Sequence, residues 1–150
     1  MKHLAPPILL AVLTWGCGPS GQRFHGVYDL TGSAHYSIKD FGNFSSQRAE
    51  TFRVSEGTRS DLVFSDVAGT CLLPANVEGE VATLEPGATC TRSEGGLTIT
   101  VTLSRGRASL SGEGARFDLS GSATVMAHGR LYAGSFFQSA TLTRVHAGGP

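Results

Sequence analysis

The chain has 150 residues, 40% of them hydrophobic, with 12 basic and 12 acidic side chains and a formal net charge of zero. That length suits one domain with a real core rather than two. Charge balance with scattered arginines excludes a polybasic nucleic-acid surface and an acidic tail.

The first sixteen residues have the parts of an export signal. Lys2 and the amino terminus supply positive charge, and residues 4–13 are apolar. That stretch falls short of the roughly 20 residues that span a bilayer, and Pro6 and Pro7 weaken a long helix. Leu13 followed by Gly16-Cys17 resembles the processing site of bacterial lipoproteins. The resemblance implies removal of residues 1–16, lipidation of Cys17, and membrane attachment through that N-terminal lipid. Gly18 after the cysteine implies an outer-membrane lipoprotein of the cell envelope. The alternative is a secreted or periplasmic protein with Cys17 as a free thiol. Residues 17–22, Gly-, Pro- and Ser-rich, read as a flexible tether. Residues 23–146 then form a single domain, and residues 147–150 a disordered tail.

Within that domain the pattern alternates with period two, the mark of strands with one buried face. Tyr28, Leu30, Ala34, Tyr36 and Ile38 share one parity, against Asp29, Thr31, Ser33, His35 and Ser37 on the other. Residues 47–50 read as a single helical turn. Phe52 and Val54 mark a second strand, Leu62 and Phe64 a third, and Leu73, Ala75 and Val77 a fourth. A reversal at Gly79-Glu80 leads to a return arm over residues 81–84. Residues 97–103 alternate strictly between Thr and branched aliphatics. Residues 104–107 read as a turn into a strand over 108–111, and residues 112–114 as the next reversal. Ala115, Phe117, Leu119, Gly121, Ala123 and Val125 make another apolar face. A turn at 128–130 leads to the last strand, residues 131–145, whose even positions include Tyr132, Phe136, Ala140 and Leu142.

Cys71 and Cys90 remain once Cys17 is assigned to lipid, and an exported protein pairs them as a disulfide. Neither has a near neighbour at metal-ligand spacing. The bond needs Cα atoms within about 7 Å. A hairpin turning at Gly79-Glu80 puts Cys71 opposite Ala88, so an irregularity near Pro86-Gly87 is needed to bring Cys90 into register.

The expected fold is all-β: an up-and-down antiparallel barrel of eight to ten strands, with a β-sandwich as the alternative. The opening residues 26–30, Gly-Val-Tyr-Asp-Leu, are similar to the first strand of small lipocalin-like (calycin-type) barrels. Residues 69–75 together with 86–90 resemble a feature of uncharacterised small bacterial envelope lipoproteins. That resemblance implies a binding or interaction module.

No metalloprotease, nucleophile-elbow or phosphate-loop motif occurs. The expectation is therefore a non-enzyme without catalytic residue, metal or cofactor. Two functions stay open. In the first, the barrel mouth holds a small apolar ligand lined by Tyr28, Tyr36, Phe52, Phe64, Phe117, Tyr132 and Phe136. In the second, a structural or inhibitory surface lipoprotein recognises another envelope protein through its loops.

Overall fold

The computed structural model describes residues 21–146. Cys17, the export signal, most of the tether and the tail lie outside them. Nine strands follow in chain order: β1 (Gly26–Ile38), β2 (Gly42–Glu56), β3 (Leu62–Asp66), β4 (Leu72–Glu78), β5 (Val81–Leu84), β6 (Thr89–Glu94), β7 (Leu97–Ser111), β8 (Gly114–Ala127) and β9 (Arg130–Arg144). All pair antiparallel in the order β5-β4-β3-β2-β1-β9-β8-β7-β6, and β5 also pairs with β7. That last pairing closes the sheet into a ring. The architecture is a barrel-like closed meander, not a sandwich.

The apolar parities form the interior. Tyr28, Leu30, Ala34, Tyr36 and Ile38 of β1 are all buried, as are Phe117, Ala123 and Val125 of β8 and Phe136, Ala140 and Leu142 of β9. The aromatic centre stacks Phe64 on Phe117 at 5.5 Å, with Phe52 6.1 Å away. Each such ring contributes about 1.5–3 kcal/mol through burial.

One end of the barrel is plugged. Gly21 and Gln22, at the tether's distal end in sequence, fold with Phe24 as a short 3-10 turn, and Phe24 is buried. Gly21 adopts φ +88°, and a Cβ there would meet Leu62 and Val77 at 2.9 Å. Tyr28 donates its hydroxyl to Phe24 O at 2.8 Å, while Arg144 donates to His25 O and to the Tyr28 hydroxyl. The Arg144 guanidinium also lies 4.9 Å from the Tyr28 ring centre. The tether therefore enters at the closed end.

Two expectations about local structure are corrected, and one strand is added. Residues 104–107 are not a turn: β7 runs through them, with a bulge between Leu103 and Arg105. One extra residue in a strand switches the inward parity. Ile99 and Leu103 point inward before the bulge, and Gly106 and Ala108 after it. Gly106 is there for space, because a Cβ would lie 2.9 Å from both Leu84 Cβ and Leu119 Cδ2. Residues 47–50 are strand, not a helical turn, and belong to the middle of β2. Finally, β6 is a strand that alternation does not announce. In both segments the inward positions are polar: Ser46, Arg48 and Glu50 on β2, and Arg92 and Glu94 on β6.

A candidate binding site in the barrel wall

The polar inward residues sit where the wall is incomplete. β2 has 15 residues, but β3 pairs only with its last five, from Phe52 to Glu56. The β3–β4 hairpin stops early because Asp66 ties its tip together. Its carboxylate accepts from Thr70 Oγ1 at 2.5 Å and from the Cys71 N–H at 3.0 Å, and its carbonyl accepts from Gly69 N–H. Burial raises the Asp66 carboxyl pKa, but the bonds from Thr70, Cys71 and Gly69 outweigh it and hold it below the ordinary value.

The opposite side of the gap forms at Pro86-Gly87. β5 and β6 lie end to end along β7, separated by residues 85–88, where Glu85 N–H reaches Pro74 O and Gly87 N–H reaches Leu103 O. β6 pairs with β7 on one edge alone, and β2 above Phe52 pairs with β1 alone. Between them the wall has a window.

Side chains frame that window. At its upper margin Ser46 Oγ donates to the Glu94 carboxylate at 2.9 Å, and Arg92 donates to Ser46 Oγ at 2.9 Å and to the Tyr36 hydroxyl at 3.1 Å. At its lower margin the Cys71–Cys90 disulfide joins the hairpin tip to β6, with Cα atoms 4.8 Å apart. The chain breaks near Pro86-Gly87 as expected, but Cys90 does not come into register on the β4–β5 hairpin: β5 ends at Leu84, and Cys90 reaches Cys71 from β6, which pairs with β7. Covalent and side-chain ties stand in for the missing ladder.

Behind the window lies a cavity of about 320 Å³. Its apolar floor includes Tyr36, Phe52, Leu119 and Phe136, and Gln138, only 7% exposed, adds a primary amide. Its sides carry two ion pairs, Arg48–Glu50 and Arg92–Glu94. Arg48 Nε is buried without a hydrogen-bond partner, an uncompensated donor of the kind that costs about 1–3 kcal/mol. The Tyr36 hydroxyl pKa is raised, first by burial and further by Glu94 and Glu50, against the opposing pull of Arg48.

The seven aromatics expected to line a ligand fall in three places. Tyr36, Phe52 and Phe136 border the cavity. Tyr28, Phe64 and Phe117 fill the packed interior, all at most 1% exposed. Tyr132 packs on Phe41, with ring centres 5.1 Å apart, near the β1–β2 turn. Sequence reasoning passed over Arg48, Glu50, Arg92, Glu94 and Gln138. The one signal for them was the run of polar residues at inward parity on β2.

Outside the barrel, His35 stacks on Phe137 at 5.3 Å and is held between Ser33 and Ser45. Among the described residues no three His, Cys, Asp or Glu side chains gather as a metal site. No protein-family model, curated protein or solved structure matches the chain.

Proposed function

We propose that the chain is a lipid-anchored binding module of the cell envelope, lipocalin-like in using the barrel interior to hold a small ligand. The observation that carries this reading is the cavity opening through the wall between β2 and β6. Its 320 Å³ lies at the small end of ligand pockets, which run from about 300 to 1,000 Å³. The floor of Tyr36, Phe52, Leu119 and Phe136 suits an apolar group. Arg48, Arg92 and Gln138 suit polar atoms at the rim, so the ligand is amphipathic.

The anchor is the lipidated Cys17, which places the module at the outer membrane. The tether enters at the plugged end, beside Leu62 and Val77. The window lies nearer the other end and stays open to the surrounding compartment.

The test uses anilinonaphthalene sulfonate, a fluorescent amphipathic probe. Saturable one-to-one binding that Leu119→Trp weakens at least tenfold, in a variant that still unfolds cooperatively in urea, is the expected result. Equal binding by that variant, or no saturable binding, overturns the reading. Cys17→Ser tests the anchor: it abolishes palmitate labelling and membrane association, and persistence of either contradicts lipidation.

A further inference from the structure

The two strands beside the window each leave one edge unpaired. Gly57 donates its N–H to Asp61 O, continuing the β2–β3 ladder. The odd-numbered residues of β2 therefore turn their peptide groups toward the β3 side. Above Phe52 there is no β3, so Ser45, Gln47 and Ala49 direct N–H and C=O groups into the gap. Across it, Leu103 donates to Ala88 O, which fixes the even-numbered residues of β6 on β7. Thr91 and Ser93 then face the gap from the other side.

Width and chemistry both fit an added strand. Ser46 and Arg92 meet across the gap through their side chains, and β2 and β6 do not pair there, whereas directly paired strands would lie about 4.8 Å apart. Exposed edges are ordinarily blunted by Lys, Pro, bulges or charge, inward-pointing charge included. Here the outward residues flanking the gap are Ser45, Gln47, Ala49, Thr91 and Ser93, none of them charged, and the inward charges are paired within each strand, Arg48 with Glu50 and Arg92 with Glu94.

We infer that the window receives an extended peptide, which pairs antiparallel with β2 as an added strand. It sends one apolar side chain inward onto Phe52, Leu119 and Phe136. This rests on the reading of the window as a binding site and names the ligand class: a segment of about six residues, apolar at one inward position and polar on either side. Main-chain groups repeating every second residue on β2 match another main chain, a regularity that a small molecule does not use. The partner is a protein of the same compartment with such a segment exposed.

The experiment pans a displayed random octapeptide library on the purified protein and maps the enriched peptide by amide hydrogen exchange. Exchange at Ser45, Gln47 and Ala49 is expected to slow at least tenfold. Gln47→Pro removes an N–H that bonds nothing in the barrel, so it weakens binding at least tenfold while keeping the urea midpoint. A peptide N-methylated at the amides facing β2 loses affinity equally, which keeps the test independent of how that variant folds. No enrichment over a Gln47→Pro column, or equal binding of the N-methylated peptide, overturns the inference. Saturable binding of anilinonaphthalene sulfonate without peptide capture overturns it while leaving the small-ligand reading intact. Loss of both overturns both.

Discussion

Replacing both Cys71 and Cys90 by Ser removes the one covalent tie across the lower margin of the window. The bond joins residues 19 apart in sequence. For a loop of about 20 residues the chain-entropy relation gives about 11 cal/mol/K, or about 3 kcal/mol at 25 °C. Against a total stability of about 5–15 kcal/mol that is a large fraction. For a domain of this size it corresponds to a melting point lower by about 12 °C. The loss has a local component as well, because β6 has a strand partner on one edge only. Urea titration of the wild type and the double variant, with residue-resolved hydrogen exchange, reads both. The expected result is a midpoint shift worth about 3 kcal/mol, together with faster exchange at position 90 and at Arg92 than at Phe117. A loss under about 1 kcal/mol with β6 exchange unchanged would refute the role given to the bond.

Gly106→Ala should destabilise by about 1–3 kcal/mol in urea, because the new Cβ meets Leu84 and Leu119 at 2.9 Å; a neutral or stabilising effect would restore the turn reading. Phe117→Ala should cost about 3–5 kcal/mol, and Phe136→Ala less, because part of the Phe136 ring already borders the cavity. Equal losses in urea titrations would argue against an open cavity. Asp66 has a native pKa below its unfolded value, so its contribution is present above the unfolded carboxyl pKa of about 3.9 and is lost as pH falls through the native one. Asp66→Asn should therefore flatten the fall in stability on acidification below about pH 4; an unchanged urea midpoint-against-pH slope would contradict this.

The barrel's closed half was legible because its inward residues are apolar. Tyr28 to Ile38, Ala115 to Val125 and Tyr132 to Leu142 announce both strand and face through period two. The disulfide followed from setting Cys17 aside as the lipidated residue of an exported chain, and the need for an irregularity near Pro86-Gly87 followed from the spacing of the remaining pair. What stayed hidden shares one cause. Ser46, Arg48 and Glu50 occupy inward positions and erase the alternation over the first half of β2, and Arg92 and Glu94 do the same on β6. The window is built from the residues that break the pattern used to find strands. Gly106 misled differently. In a strand, a glycine beside a phase change marks a bulge with no room for a side chain, whereas the same letters between strands mark a turn.

The measurement closest to the central claim is residue-resolved amide exchange of the unliganded protein along β2 and β6. The open wall predicts alternation: Ser46, Arg48 and Arg92, bonded to β1 or β7, exchange at least tenfold more slowly than Gln47, Ala49, Thr91 and Ser93, which face the gap. Uniform protection at both parities would mean that a ladder closes the wall, and would contradict the window.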